Sequence, residues 1–307
     1  MKLSLLYLGF AVLMAPAALQ AQSPGPRNVP LAQRIAHTEP AKYRDLSAVH
    51  QGAGSMKFEQ LFGNDAVGPN FLFLHRGVIP PGAGIGEHFH NQCEEMFVIL
   101  DGEGEFTVNG HTSKLQGPVG VPDRMGSAHA IYNASDKPLQ WLNINVGLTK
   151  RYDNFDLGDD RAHAVLDPIP QFINFHLDKA LLKPVQALNG GTGVVQYRRA
   201  LEPTVFSTPW AYVDHLVIPP GASVGPSSDA AISEVYYVLA GDGSVTVGGE
   251  TAPIKSGDAV AVDLGQVHAI KGGGSPLELM VIGVARDLAT KAAWQEAQAL
   301  ARRGTRR

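Results

Sequence analysis

The sequence predicts an all-β protein made of two small barrels or jelly rolls in tandem, followed by a short C-terminal helix. Three observations support this fold class. The chain contains an internal repeat, each repeat consists of short apolar runs separated by turn signals, and glycine (34) and proline (21) are abundant among the 307 residues. Such a composition favours many short strands over a helical bundle. Hydrophobic residues make up 44% of the chain and charged residues 18%, which is enough apolar material for packed cores.

The internal repeat divides the chain into two units. The sequence of Ile79–Ala83 recurs at Ile218–Ala222, and at the same offset His129 matches His268. The offset also aligns Gly86 with Gly225, Glu95 with Glu234, Leu100 with Leu239, Gly102 with Gly241 and Gly104 with Gly243. We therefore assign residues 43–150 to the first unit and 182–285 to the second. Residues 22–42 form an N-terminal arm, and residues 151–181, rich in Asp and Pro, form a linker.

Within the first unit, short runs of apolar, β-branched and aromatic residues predict strands. These runs are Asn70–Val78, Met96–Leu100, Glu105–Val108, His129–Tyr132 and Leu139–Val146. Hairpin turn signals lie at Asp101–Gly102, Asn109–Gly110, Gly241–Gly243 and Gly248–Gly249. This pattern is typical of a small antiparallel barrel or jelly roll. Residues 286–303 contain no Gly or Pro and predict the helix of a C-terminal segment, residues 286–307.

Residues 1–21 have the features of a signal peptide. Lys2 supplies a positive charge, residues 3–14 form an apolar run, and Ala17 and Ala21 are small residues at plausible cleavage points. An uncleaved membrane anchor is the alternative, but the run is shorter than the ~20 residues that a spanning helix needs. We expect an exported protein, periplasmic or secreted, with no membrane association after cleavage.

Charge and cysteine content exclude a nucleic-acid partner and a fold held by an intramolecular disulfide. With a net charge of -4 and a pI of about 6.2, the chain lacks the basic field that holds a nucleic acid. Because Cys93 is the single cysteine, the fold contains no intramolecular disulfide. We predict that Cys93 is a small buried apolar residue, with a reactive thiol or an intermolecular bridge as the alternative.

Four residues of the first unit have the spacing of a metal site. His88 and His90 are two residues apart, so on a strand they point to the same face. A short reversal returns Glu95 on the next strand, and His129 arrives from a later one. Three imidazoles and one carboxylate hold a divalent transition metal and leave coordination positions for water or substrate. We therefore predict one bound metal, Fe or Mn first, with Ni, Cu or Zn as alternatives.

These motifs resemble those of the cupin superfamily. Its first motif, G-x5-HxH-x3/4-E-x6-G, is matched in full from Gly82 to Gly102. Its second, P-x-G-x2-H-x3-N, is matched at His129 and Asn133, but Pro122 lies seven residues before the histidine instead of five. The resemblance covers most of the mature chain and implies two cupin barrels. It specifies the fold and metal binding but no reaction, because this fold carries many chemistries.

The second unit departs from the motif. Ser227 and Asp229 stand where the first unit has its paired histidines, while Glu234 and His268 remain. One interpretation is an altered Asp/Glu/His metal site. The other, which we favour, is a degenerate site in a barrel retained for packing, with Ser227 and Asp229 on an exposed loop.

Several residues near the first motif are candidates for a substrate pocket. Alternation along the strands directs Phe97, Ile99 and Ile131 to the side of the metal ligands and Phe89 away from it. Trp141 and Met125 add apolar surface, and Arg124 is a candidate partner for a substrate carboxylate or phenolate. For each apolar residue, simple barrel core is the alternative. Few charges lie inside the motif, so we expect a small, partly apolar or aromatic substrate.

Three functions are compatible with these features. The first is an oxidoreductase that resembles the bicupin dioxygenases acting on quercetin and dihydric phenols, with Glu95 tuning the ion or acting as a base. The second is a non-redox lyase or isomerase in which the ion acts as a Lewis acid. The third is a non-catalytic binding or storage module. Oxalate decarboxylases are also bicupins, but they keep two full metal sites. The resemblance to the cupin superfamily is also compatible with a homodimer.

Overall fold

The structure of the protein is a computed structural model that describes residues 30–304. The predicted signal peptide lies outside the described residues. The first thirteen strands are β1 (Ile35–His37), β2 (Arg44–Ser47), β3 (Ser55–Phe62), β4 (Phe71–Ile79), β5 (Gly84–Phe89), β6 (Cys93–Ile99), β7 (Glu103–Val108), β8 (His111–Gln116), β9 (Val119–Asp123), β10 (Ala128–Tyr132), β11 (Leu139–Gly147), β12 (Phe155–Asp156) and β13 (Phe175–His176).

The remaining strands are β14 (Lys183–Gln186), β15 (Val194–Leu201), β16 (Trp210–Ile218), β17 (Ser223–Ser227), β18 (Ile232–Ala240), β19 (Asp242–Val247), β20 (Glu250–Lys255), β21 (Asp258–Val262), β22 (His268–Gly272) and β23 (Leu277–Ala285), followed by helix α1 (Leu288–Gly304). Short 3-10 turns lie at Leu31–Gln33, Pro40–Lys42, Val49–Gln51, Lys179–Leu181, Leu188–Gly190 and Pro203–Val205. The all-β fold with one C-terminal helix is therefore confirmed, and the predicted strands agree with the observed ones to within a few residues.

Each barrel consists of two antiparallel sheets. In the first barrel a seven-stranded sheet has the order β13-β9-β6-β11-β4-β3-β2, and a five-stranded sheet has the order β12-β5-β10-β7-β8. In the second barrel the orders are β1-β21-β18-β23-β16-β15-β14 and β17-β22-β19-β20. The two barrels thus share one arrangement of strands, as the sequence repeat requires, apart from the extra strand β12.

The barrels exchange edge strands. β1, from the N-terminal arm, pairs with β21 of the second barrel, with Ile35 opposite Val260. β13, from the linker, pairs with β9 of the first barrel, with Phe175 opposite Gly120. Each barrel is completed by the segment that precedes the other barrel. The arm and the linker are therefore integral parts of the sheets rather than free connections.

The two seven-stranded sheets pack against each other through their outer faces. On β6, Met96 and Val98 are fully buried in the apolar cluster that both barrels share, and Trp210 and Ile282 join it from the second barrel. Because side chains alternate along a strand, the residues between them point into the first barrel. This alternation directs Glu95, Phe97 and Ile99 inward.

Polar contacts also join the second barrel to the metal-site strand β6. The buried carboxylate of Glu94 accepts hydrogen bonds from the backbone N–H groups of Ser207 and Thr208 (2.8 and 2.9 Å) and from the Thr208 hydroxyl (2.6 Å). Lys291 of helix α1 donates to the Phe206 and Thr208 carbonyls at 2.6 and 2.7 Å. Burial lowers the pKa of Lys291 to about 8. The second barrel and helix α1 therefore support the strand that carries Glu95.

Within the described residues, α1 included, the chain forms no helix with the length and apolar character needed to span a membrane.

Candidate metal centre

The four predicted ligands converge inside the first barrel. His88 lies on β5, His90 directly follows that strand, Glu95 lies on β6 and His129 on β10. β10 pairs with β5 so that His129 stands opposite His88. Glu95 Oε2 lies 3.4, 2.9 and 3.1 Å from the Nε2 atoms of His88, His90 and His129. All four side chains are buried.

The distances between these atoms fit a transition metal ion. Two ligand atoms about 2.1 Å from a common ion lie roughly 3.0 Å apart at a right angle and roughly 3.4 Å apart at a tetrahedral angle. Besides the carboxylate contacts, His129 Nε2 lies 3.1 Å from His88 Nε2 and 3.3 Å from His90 Nε2. Imidazole nitrogens so close together repel each other unless a proton or a cation lies between them. The donor set and its spacing therefore both fit one divalent ion.

Hydrogen bonds behind the ligands hold them in the orientation that an ion requires. His88 Nδ1 lies 2.8 Å from the Gly86 carbonyl, and His90 Nδ1 lies 2.5 Å from the Asp153 carbonyl. Each carbonyl accepts a hydrogen bond from the Nδ1–H group of a neutral imidazole, and the Nε2 lone pair of that ring then faces the centre. Asn143 donates from Nδ2 to Glu95 Oε1 at 2.5 Å, so the other carboxylate oxygen faces the histidines.

The protonation states of the ligand side chains in the cluster depend on one another. Burial opposes ionisation of Glu95, but hydrogen bonds from His129, His88 and His90 hold its pKa well below the usual range. Burial and the neighbouring His88 lower the pKa of His129 to about 3. Burial also disfavours a charge on His90, yet its contacts with Cys93 and Glu95 raise its pKa to about 11. The metal-free cluster therefore holds a proton near His90, and an incoming cation displaces it.

A cavity of about 330 Å³ opens onto the cluster, and His88 and Glu95 form part of its wall. Its other lining residues are Val49, His50, Phe58, Gln60, Phe73, His75, Ile85, Phe97, Trp141, Asn143 and Tyr152. Most of these side chains are apolar or aromatic, and no lysine or arginine of the described residues is among them. The cavity suits an organic ligand with a large apolar part.

Two of the six predicted pocket residues line this cavity, namely Phe97 and Trp141. The other four do not line it. Ile99 and Ile131 face inward as alternation requires, but they are fully buried in the barrel core. Arg124 and Met125 lie in the turn before β10, outside the cavity, and the Arg124 guanidinium donates to Ser207 Oγ at 3.1 Å. Phe89 points away from the cluster and stacks on Phe155, as expected.

A segment of the linker that no sequence pattern predicted lies beside the cluster and contributes Tyr152 to the cavity wall. We call residues 152–156 the site strap. β12 within it pairs with β5, with Asp156 opposite His88. The Asp153 carboxylate accepts hydrogen bonds from the backbone N–H groups of Asn91 and Gln92 at 3.2 and 3.3 Å. The strap also supplies the carbonyl that orients His90. No motif identifies it, because its contacts are made by backbone atoms and by residues far apart in the sequence.

Cys93 is buried, as predicted, at the start of β6. Its Sγ lies 3.8 Å from Asp153 Oδ1, and with His90 these residues form a second group of potential metal ligands. The Asp153 carboxylate is already occupied by two backbone N–H groups, which explains its position without a second ion.

His50 was also missed, although it adjoins the cluster. Its ring stacks on His88 with 3.7 Å between centroids and 9° between planes. Its Nδ1 lies 2.7 Å from Asp156 Oδ1, and its Nε2 lies 3.3 Å from the Tyr152 hydroxyl. The backbone approaches β5 closely at this point: a Cβ atom at Gly86 would lie 2.2 Å from the His50 carbonyl oxygen. Gly86 is the sequence signal that could have indicated this contact, because a side chain there would clash with the His50 carbonyl.

The second barrel holds a closed hydrogen-bond network where the first has its cluster. Glu234 Oε2 lies 3.1 Å from His268 Nε2, and the Tyr212 and Tyr236 hydroxyls donate to the same carboxylate at 2.6 and 2.5 Å. Asp229 is exposed and accepts backbone hydrogen bonds within its own loop. Within residues 30–304, no group of three potential ligands forms in this barrel. Ser227 lies opposite His268 in the sheet, in the place of His88, and offers no imidazole.

Comparisons with known proteins agree with this architecture. A family model described as a cupin domain matches residues 75–145 and 214–283. An oxalate-binding protein of Thermotoga maritima is 30% identical over 99 residues, which cover 32% of this chain and 82% of that protein.

Solved structures show the same fold at low sequence identity. The oxalate decarboxylase of Lactobacillus farciminis, in a formate complex, has a TM-score of 0.59 and 15% identity, with 82% of this chain and 86% of that chain covered. A structure of Bacillus subtilis oxalate decarboxylase that concerns its Mn(II) centres has a TM-score of 0.56 and 15% identity, with 82% and 77% covered.

Proposed function

This chain belongs to the cupin family and carries two cupin domains, and from that premise we propose that its first barrel is a metal-dependent oxidoreductase acting on a small, partly apolar or aromatic substrate. The observation that carries the proposal is the cavity of about 330 Å³ that opens directly onto His88 and Glu95 of the four-residue cluster. A purely structural barrel has no need of an enclosed ligand set beside such a cavity.

The walls of the cavity favour an aromatic substrate over a small dianion. Phe58, Phe73, Phe97 and Trp141 contribute four large aromatic side chains to the lining. The described lining contains no lysine or arginine that would pair with a second carboxylate once the ion has bound the first. Oxalate, which appears in the names of several similar proteins, would leave this apolar surface without a partner. A phenol or enol with one oxygen directed at the ion fills the space better.

When bound, a redox-active divalent ion would supply the Lewis-acid and electron-transfer chemistry of the reaction. His88, His90, Glu95 and His129 would hold it, and Fe or Mn fits three imidazoles and one carboxylate, with Ni, Cu or Zn as alternatives. Mn(II) centres in a structurally similar bicupin are in keeping with Mn. Glu95, fixed by Asn143, would tune the ion or accept a proton from the substrate.

The chain's own residues would position the substrate and exclude water. The aromatic walls would hold its ring, and Tyr152 of the site strap would cover part of the cavity. We propose as well that the protein works outside the cytoplasm, as its N-terminal sequence predicts.

A non-redox lyase or isomerase is the second candidate, and one observation favours it. The Asp156 carboxylate orients His50 beside the cluster, which is the arrangement of a general acid–base pair. In that case the His50 Nε2 atom would accept or return a substrate proton. Oxygen consumption distinguishes this reaction from the first candidate.

The experiment is to purify the protein without added metal, measure bound metals by elemental analysis, and follow oxygen uptake with a panel of catechols and flavonoids. The proposal expects iron or manganese at one ion per chain and uptake with at least one aromatic substrate. His88→Ala should lose both the ion and the uptake, and Asp229→Ala should keep both. Bound zinc without uptake would favour the second candidate, and absence of any metal would refute both.

A further inference from the structure

We propose that Tyr152 is a specificity-determining residue whose phenolic oxygen accepts a hydrogen bond from a free hydroxyl group of the substrate. The inference rests on the proposed function and narrows its substrate class to hydroxylated aromatic compounds that carry a second hydroxyl beyond the oxygen directed at the ion. It is carried by the contacts that link Asp156 to His50 and His50 to Tyr152, the last two of which line the cavity.

The turn that contains His50 does not require an imidazole, whereas the contacts of the site do. His50 has a left-handed backbone conformation, with φ 50°. The equivalent residue of the second barrel, Asn189, has φ 52° in the same kind of turn. Asparagine adopts this conformation most readily after glycine, so the turn itself is served by Asn. In the first barrel the larger ring reaches His88, Asp156 and Tyr152.

The Asp156 carboxylate sets the direction of the hydrogen bonds that link Asp156, His50 and Tyr152. The Asp156 carboxylate only accepts, so the His50 Nδ1–H donates to it across 2.7 Å. Because Nδ1 carries the proton of the neutral imidazole in this contact, Nε2 carries the lone pair. The Tyr152 hydroxyl, 3.3 Å away, therefore donates to Nε2. Its oxygen keeps lone pairs that can accept a further hydrogen bond, and both Tyr152 and His50 line the cavity.

Tyr152 is in a position to use this acceptor. Its ring lines the cavity and packs against Phe73 and His90, with centroids 5.4 and 5.2 Å apart. A phenol keeps its proton at neutral pH, so the Tyr152 hydroxyl is available as the donor to His50. A ligand bound in the cavity thus meets an acceptor at Tyr152. A substrate hydroxyl satisfies this acceptor, and a methyl ether at the same place does not.

The test measures binding of two probes to Zn(II)-loaded protein, because zinc does not oxidise them. Resorcinol and 3-methoxyphenol each offer one phenolic oxygen to the ion, but only resorcinol has a second O–H donor. We expect the wild type to bind resorcinol roughly three- to tenfold more tightly, the effect of one neutral hydrogen bond. Tyr152→Phe should abolish this preference and keep one Zn(II) per chain.

Two further variants make the result specific. His50→Asn, which restores the residue of the second repeat, should reduce the preference because the Tyr152 hydroxyl loses its fixed orientation. Tyr132→Phe changes a tyrosine of the first barrel outside the cavity lining and should leave the preference intact.

A preference that survives in Tyr152→Phe, or equal binding of the two probes to the wild type, would overturn the inference while leaving the proposed function in place. Loss of Zn(II) from Tyr152→Phe would also overturn it, since Tyr152 would then serve the ion. If neither probe binds the wild type, or if binding does not require Zn(II), the proposed function itself fails and the inference fails with it.

Discussion

Asn143 and Asn145 form a matched pair for testing how the chain orients its metal ligands. They lie two residues apart on β11, so both point into the first barrel. Both are buried. Asn143 donates to Glu95 Oε1 at 2.5 Å, whereas the side-chain amide of Asn145 has no hydrogen-bond partner among the described residues. Replacing each by alanine removes the same atoms from the same strand, but only one replacement releases Glu95.

We predict that Asn143→Ala weakens metal binding by about 10- to 100-fold, the usual cost of losing a group that orients a ligand. A hydrogen bond to a charged group contributes about 1.5–3 kcal/mol, which corresponds to a similar range of affinities. Asn145→Ala should bind metal as the wild type does. Its free energy of unfolding should stay within roughly 1 kcal/mol of the wild type, because relief of an unpaired amide offsets the cavity that is left.

The assay is competition for the metal against a chelator of known affinity, combined with denaturant unfolding of the metal-free proteins. Equal weakening of metal binding in the two variants would refute the reasoning. It would mean that the volume of the side chain at this face of β11, and not the hydrogen bond to Glu95, controls the site.

Three further outcomes are expected. His88→Ala should lose the ion and keep the β-type circular dichroism of the wild type, whereas Asp229→Ala should keep one ion per chain. Loss of half the metal from Asp229→Ala would show that the second barrel binds an ion. Loading metal-free protein near neutral pH should release about one proton per ion, because the pKa of His90 is raised to about 11. Calorimetry in buffers of different ionisation enthalpy measures the proton release, and an absence of release would contradict the prediction. Burial opposes a charge on His268, but Glu234 raises its pKa above 6.5. The contribution of His268 to the free energy of unfolding is therefore complete below that pH and is lost as the pH rises through the raised pKa. The difference in unfolding free energy between wild type and His268→Gln should shrink as the pH rises, and a growing difference would contradict this prediction.

The sequence was sufficient for the fold and for the residues of the cluster because both depend on local periodicity. The spacing of His88, His90 and Glu95 follows from two strands and one reversal, and the repeat places His129 on an equivalent strand in each barrel. Alternation also gave the correct face for Phe97.

Depth within the barrel could not be predicted in the same way. Ile99 lies on the same face as Phe97, but one layer further into the core, and alternation does not distinguish the two positions. The site strap and His50 were missed because they reach the cluster through tertiary contacts. Asp156 is 106 residues from His50 along the chain, and no sequence period connects them.

X-ray absorption spectroscopy of the metal-loaded protein tests the central claim most directly. We predict one ion per chain, bound by nitrogen and oxygen atoms at about 2.1 Å, with the outer scattering of three imidazole rings. His129→Ala should reduce or abolish this signal. Sulfur scattering at about 2.3 Å would place the ion at Cys93 instead, and fewer than three imidazoles in the wild type would contradict the four-residue site.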